Sequence, residues 1–274
     1  MSKPTSVTLC TFDALHAHEL RELPISVGWV DSIADWNTIL TCGRVIGHRD
    51  ETGAVVSTGA LFDFGSVYTI GKMIVRASHQ GQGLAREILE RLLSMRRPNV
   101  HTSLVATEMG RPVYEKFGFS VIGDVHKLTI DAPNATERAL RARTVEASFE
   151  DLLACDQRVF GADRRRMLAA RVRQSEACLA QGGAFGLRVP GTLSVLGPVL
   201  AQDTPAAHAM IMNLVRCAKG PCRIDVNHTK RDLIAALRAA GFSEIKTHPV
   251  MSLGGTHPPG QREGLYALAA QAWG

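Results

Sequence analysis

The stretch Met73-Ile74-Val75-Arg76-Ala77-Ser78-His79-Gln80-Gly81-Gln82-Gly83-Leu84-Ala85-Arg86 decides the fold. Its first three residues are apolar, with Ile and Val among them, as a buried strand requires. Gly81 and Gly83 follow, with only Gln82 between them. Beyond them Leu84, Ile88 and Leu92 fall on one helical face, with Ala85, Leu89 and Leu93 beside them. A strand, a glycine turn and a helix N-terminus together make an anion site. The first N–H groups of a helix have no intrahelical partner, and the dipole is positive there. Glycines remove the Cβ atoms that would hold a phosphate off the backbone. The dinucleotide fingerprint G-x-G-x-x-G fails at Arg86, and no Gly-Lys-Ser/Thr follows to make a P-loop.

The chain of 274 residues suits two domains of ordinary size or one large one. At 45% hydrophobic and 21% charged it is globular, with a sizeable core available. A net charge of +5 suits a small anionic ligand and does not imply nucleic acid. The run Arg164-Arg165-Arg166 lacks the interleaved aromatics of a nucleic-acid track and reads as a solvated helix face. Six cysteines form no Cys-x-x-Cys pair and ten histidines no His-x-x-x-His pair, so no metal is expected. Free thiols suit a reducing cytoplasm. The N-terminus has no apolar signal core, and no apolar run reaches the length of a membrane span. The expectation is a cytoplasmic protein with no membrane partner.

Along the chain, Ser6 to Phe12 reads as a strand and Ala14 to Leu23 as a helix capped by Asp13 and ended by Pro24. Gly28 to Trp36 reads as a loop and a short helix. Arg44 to His48 and Ala54 to Phe64 read as strands joined by Asp50-Glu51-Thr52-Gly53, and Val67 to Val75 as the strand entering the glycine loop. The helix from Gly83 ends near Arg97, before Pro98. Thr102 to Ala106 is a strand, Arg111 to Phe117 a helix stopped by Gly118, and Phe119 to Ile130 is extended.

Asp131-Ala132-Pro133-Asn134 breaks the pattern and marks a boundary. Beyond it, Phe149 to Phe160 and Asp163 to Ala180 read as helices. Gly186 to Val189 and Leu193 to Leu200 read as strands. Thr204 to Lys219 reads as a helix with Thr204 at the N-cap and Pro205 at its first position. Arg223 to Val226 is a strand, Lys230 to Ala240 a helix, and Glu244 to Leu253 and Leu265 to Ala269 are strands. This order repeats that of the first half, down to a second Gly-Phe-Ser at 241–243 matching 118–120.

Gln80-x-x-Gly83-x-Ala85 directly after a strand resembles the Q/R-x-x-G-x-G/A signature of the GNAT superfamily of acyl-CoA N-acyltransferases. Tyr114-Glu115-Lys116-Phe117-Gly118-Phe119 resembles the Y-x-K-x-G-F end of that fold. The β-α-α-β-β-β-α-β-α-β order over roughly residues 5–132 is similar to a GNAT domain. Phe160-Gly161-Ala162-Asp163-Arg164 and Gly197-Pro198 resemble the second half of a bacterial tandem-GNAT subset. That subset's usual Arg-Met reads Val250-Met251 here.

The resemblance implies an α/β (α+β) chain of two tandem GNAT-like domains, each a mixed, mostly antiparallel twisted sheet flanked by helices. Residues 1–132 would be catalytic, and 133–274 structural or substrate-shaping. Met73, Ile74 and Val75 would clamp the thioester carbonyl. Gln80, Gly81, Gln82, Gly83, Leu84, Ala85 and Arg86 would cradle the pyrophosphate of acetyl-CoA, with Thr107 and Gly110 beside the pantetheine arm. Tyr114 would be the general acid, since a phenol has a proton to give at neutral pH. The general base stays open among Asp63, His48 and Glu108.

Trp29, Asp31, Asp35 and Trp36 lie in the region that caps the acceptor pocket in this fold. They either receive a cationic amine or pack the core and cap helices. In the second half Ala201-Gln202-Asp203-Thr204-Pro205 replaces the glycine loop and Leu237 stands for Tyr114, so one active site is expected. The expected function is acetyl-CoA-dependent acetylation of a small primary amine in a ternary complex, by a monomer or homodimer. A CoA-binding regulatory protein without turnover and a protein acetyltransferase are the alternatives.

Overall fold

The computed structural model describes residues 6–29, 31–131 and 145–274. Residues 132–134 of the expected boundary, and Val30 of the expected acceptor loop, lie outside the described residues.

The first half runs β1 (Val7–Phe12), α1 (Ala17–Leu20), α2 (Glu22–Ile25), α3 (Ile33–Cys42), β2 (Gly43–Asp50), β3 (Val55–Asp63), β4 (Val67–Val75), α4 (Leu84–Ser94), β5 (His101–Val105), α5 (Arg111–Glu115) and β6 (Ser120–Ile130). The second runs β7 (Val145–Glu146), α6 (Phe149–Phe160), α7 (Arg165–Gln174), β8 (Ala177–Gln181), β9 (Ala184–Val189), β10 (Ser194–Leu200), α8 (Thr204–Arg216), β11 (Cys222–Asn227), α9 (Arg231–Ala239), β12 (Ser243–Leu253) and β13 (Leu265–Ala267). These are two tandem α/β units with mixed, mostly antiparallel sheets flanked by helices.

Four local expectations are corrected. Pro24 does not end the first helix. The segment is a 3-10 turn over Ala14–His16 followed by α1 and α2, with Pro24 inside the first turn of α2, where its missing N–H is not needed. The helix after the Gly28 loop is longer than expected and runs to Cys42. The predicted helix over Asp163 to Ala180 stops at Gln174, and Ala177–Gln181 is a strand. Its Ala, Leu and Gln favour helix locally, but pairing with β7 and β9 prevails, through a turn at Gly182-Gly183. The cap of α8 is Asp203, not Thr204, with Asp203 Oδ1 accepting from Ala206 N at 2.8 Å.

The two sheets are one. The strand order is β1-β2-β3-β4-β5-β12-β6-β11-β10-β9-β8-β7, with β13 on β10. The halves exchange their long hairpin-forming strands. β12 of the second half pairs antiparallel with β5 of the first, Met251 opposite Leu104. β6 of the first half pairs with β11 of the second, Leu128 opposite Ile224. β6 and β12 lie side by side at the centre. Helices α4 and α5 cover one face of the first half, over a core that includes Ile70, Ile88, Leu92, Leu104 and Phe119. Helices α8 and α9 cover the corresponding face of the second half over Leu196, Met210, Ile224 and Leu237. On the other face α1–α3 and α6–α7 share one core across both halves, which contains Trp36, Phe62, Phe160 and Trp273.

Candidate active site

The site begins where β4 and β5 part. They pair in parallel only over Val67–Ile70 and His101–Leu104. Beyond this, β4 continues to Val75 against β3 alone. A bulge in that ladder leaves Lys72 at φ 54°. The Lys72 carbonyl accepts from Thr58 Oγ1 at 2.9 Å, which holds the bulge in place.

A cleft of about 500 Å3, counting its open mouth, fills the splay. Ile70 to Met73 form one wall and Val105 and Thr107 the other. Ala85 of α4 and Gly110, Val113 and Tyr114 stand at one side, and Trp29 at another. Of the residues expected at the site, the structure brings Met73, Ala85, Thr107, Gly110, Tyr114 and Trp29 together here. The Ile74 side chain points into the core, and the Val75 carbonyl accepts from Gln80 Nε2 at 3.1 Å. That bond ties the glycine loop to the end of β4.

The loop itself is built as an anion cradle. Gly83 is the N-cap of α4 at φ 86°, a left-handed conformation, and Gly81 sits at φ 76°. The N–H groups of Gly83, Leu84, Ala85 and Arg86 meet no acceptor among the described residues. A Cβ on either glycine would meet nothing within 4 Å, so the space in front of these donors is open. The donors and the positive end of the α4 dipole face that space. Leu84 anchors the turn in the core, while Gln82 and Arg86 are exposed.

Tyr114 lines the cleft from α5, with its ring edge-on to Phe119 at 6.0 Å. Its hydroxyl has no hydrogen-bond partner among the described residues. Burial pushes the phenol pKa up, so the group keeps its proton at neutral pH. Thr107 Oγ1 accepts from Gly110 N at 3.1 Å and orders the turn that aims α5.

None of Asp63, His48 and Glu108 lines the cleft. Asp63 lies at the far end of β3, bound to Arg97 at 3.0 Å and accepting from the Tyr68 hydroxyl at 3.2 Å. His48 is buried between Ser57 Oγ at 2.7 Å and Glu87 Oε2 at 3.2 Å. Glu108 is exposed on the loop before α5.

In the acceptor region, Trp36 is fully buried. Asp31 pairs with Lys72 Nζ at 2.7 Å, and Lys72 lines the cleft. Asp35 caps α3 with Ser32 and pairs with Arg171 of the second half at 2.9 Å. Burial raises the Asp35 pKa, but the Ser32 hydrogen bonds and the Arg171 charge outweigh it and hold the carboxyl below its usual range. Both carboxylates therefore already carry a counter-charge. Lys72, Val105, Val113 and Arg171 were not expected at or around the site. Lys72 reaches it only through the bulge, and Arg171 only through the fold of the second half, and neither leaves a local mark in the sequence.

Comparison with known proteins gives the family and the fold. A Bacillus subtilis (strain 168) protein described as an uncharacterized N-acetyltransferase, YitH, is 30% identical over 270 residues, covering 94% of this chain and 95% of that one. The chain belongs to the GNAT superfamily of acetyltransferases. GNAT domain models match both halves separately, over residues 42–121 and 152–267. The tandem GNAT fold recurs in solved structures. A putative acetyltransferase from Pyrococcus horikoshii superposes with a TM-score of 0.83 at 20% identity, over 98% of this chain and 96% of that one. A tandem GNAT protein from the clavulanic acid biosynthesis pathway superposes at 0.62 and 12% identity, over 90% and 98%. Among the described residues, no group of three or more His, Cys, Asp or Glu could hold a metal, and no helix is long and apolar enough to cross a membrane.

Proposed function

We propose that the chain transfers an acetyl group from acetyl-CoA to a small primary amine, in a ternary complex, at one site in the first GNAT unit. Residues 1–132 would carry the chemistry and 133–274 would shape the acceptor side. The observation that carries this reading is the open splay of β4 and β5, with unclaimed helix N–H groups at one end and the Tyr114 hydroxyl in its wall. The cradle from Gln80 to Arg86 fits a pyrophosphate by donor set and by space.

In the reaction, the neutral amine nitrogen attacks the thioester carbon. The carbonyl oxygen gains negative charge near the backbone of Met73–Val75, where one aligned donor is worth about 3 kcal/mol. The C–S bond breaks, and the leaving thiolate takes the Tyr114 proton. The new ammonium loses its proton to solvent, and the tyrosinate is reprotonated. The lack of a carboxylate or histidine lining the cleft among the described residues leaves water as the first proton acceptor. It is also the one observation favouring a CoA-binding protein without turnover. Release of free thiol from acetyl-CoA across a panel of amines, amino acids and peptides separates the two. Binding by calorimetry with no release from any acceptor rejects transfer, and mass spectrometry of mixed substrates distinguishes small-molecule from protein acetylation.

A further inference from the structure

A second cavity, of about 640 Å3 counting its open mouth, lies where the halves meet. Val105 lines both it and the first cleft, and the consecutive residues Thr69 and Ile70 line one each. Its walls are mostly apolar, with Leu104, Val125, Val250 and Leu268 among them. Among the residues lining it, Arg262 has the one charged side chain, and Gly274, whose carbonyl oxygen accepts from Arg164 Nη1 at 2.7 Å, lines it as well.

Arg262 is held but unpaired. Its Nε donates to the Pro259 carbonyl at 2.8 Å, and its guanidinium carbon lies 3.8 Å from the centre of the Phe160 ring. Its Nη2 is buried without an acceptor, and no carboxylate among the described residues forms an ion pair with it. Arg164 also stacks on Phe160, at 3.7 Å, but Asp156 neutralises it through contacts of 3.0 and 2.5 Å. Burial and the like charge of Arg164, against the opposing pull of Asp156, lower the Arg262 pKa to about 9, which still leaves it charged at neutral pH. The loop that carries it is pressed onto the end of α6. A Cβ on Gly161 would lie 2.3 Å from Gly260 N, and one on Gly260 would lie 2.5 Å from the Val159 carbonyl. The Phe160-Gly161 and Arg164 positions of the second-half motif therefore seat this arginine.

Arg262 is half-buried, and the nearest carboxylate acting on it, Asp156, is bonded to Arg164, so its unsatisfied Nη2 gains from a ligand that brings an acceptor and a counter-charge. Its fork matches a carboxylate, and its single charge suits a single negative charge in an apolar cavity. We propose that this cavity takes the carboxylate of the acceptor against Arg262, so that the acceptor is an amine bearing a carboxylate on an apolar body, of the amino-acid class. This rests on the transfer reading above and narrows its substrate.

The test titrates N-acetyl derivatives of alanine, leucine, methionine and phenylalanine, and their carboxamides, into the full chain by calorimetry. At least one acid is expected to bind tenfold or more tighter than its amide. Arg262→Gln is expected to erase that difference while CoA binding is kept. Asn227→Asp retains the side-chain acceptor for Thr229 N (3.0 Å) and places a negative charge in the cavity wall, so it is expected to weaken acid binding in a chain that folds normally. Acids that bind no tighter than their amides, or a preference that survives Arg262→Gln, overturn the proposal. Acid binding without thiol release from any amine would keep the subsite and reject transfer. Acetylation of amines lacking a carboxylate as fast as those bearing one would keep transfer and reject the subsite.

Discussion

The parting of β4 from β5 and the parting of β10 from β11 are one piece of architecture in two states. Each pair runs parallel for a few residues and then diverges, at Ile70 and Leu104 in the first half and at Leu196 and Ile224 in the second. In the first half the gap is open, and the next helix begins at a left-handed glycine with free donors. In the second half the chain's own β13 fills the gap. Val199 and Leu200 pair with Ala267 and Leu265, Ala201 N donates to Gly264 O at 3.1 Å, and Leu268 N donates to Asp225 O at 3.0 Å. The following helix is capped by the Asp203 carboxylate, and its first turn holds Pro205. Where Tyr114 offers a hydroxyl to a cleft, Leu237 is fully buried. A splayed sheet is thus a vacancy that the backbone must satisfy, either with a ligand or with itself.

Gly83→Val should produce the largest effect. The Cβ has room, so the fold tolerates the change apart from local backbone strain, but the side chain stands in the cradle. CoA affinity should fall on the order of 10³-fold by calorimetry. Stoichiometric binding that persists at the second half would break the contrast between the copies.

Tyr114→Phe should lower kcat roughly 10²-fold or more with CoA affinity unchanged, as loss of a general acid does. Its counterpart Leu237→Ala should leave kcat per folded molecule intact and destabilise the chain by about 3 kcal/mol, read by denaturant unfolding. A kcat loss from the second substitution would mean that the closed copy takes part in the chemistry.

A smaller effect concerns the strand exchange. Glu244 of β12 accepts from Thr247 Oγ1 at 2.6 Å, from Arg238, and contacts His126 of β6 at 3.0 Å. The Thr247 hydrogen bond and these partners lower its carboxyl pKa to about 2 from 4.5. A depressed carboxylate contributes stability above its ordinary pKa and loses it as pH falls through the folded value. Unfolding free energy should therefore drop by about 1–3 kcal/mol between pH 5 and pH 2 on this account, and Glu244→Gln should flatten that slope. Smallest, Asp203→Ala removes one cap and should cost about 1 kcal/mol with no change in CoA binding.

The cradle was legible in the sequence because its chemistry is local: a strand, two glycines and a helix start lie within fourteen consecutive residues, Met73 to Arg86. The cap on Asp13 was legible for the same reason, whereas Tyr114 was singled out through the resemblance of residues 114–119 to a family motif. The exchange of β6 and β12 was not, because each strand has the same alternation whichever neighbour it takes. Residues 177–180 were read as helix because they favour one, and only the partners of Ala177–Gln181 make it a strand. Asp31 and Asp35 looked available to an amine because the charges that meet them, Lys72 and Arg171, come from distant parts of the chain.

The exchange also sets the order in which the molecule can be made. Leu104 has its neighbour in Met251, so the edge of β5 stays bare while the intervening residues are translated. At about 5–20 residues per second that interval is roughly 7–30 s on the ribosome. The half with the open cleft leaves the exit tunnel first and completes its sheet last, when the end of its companion arrives to pair with it.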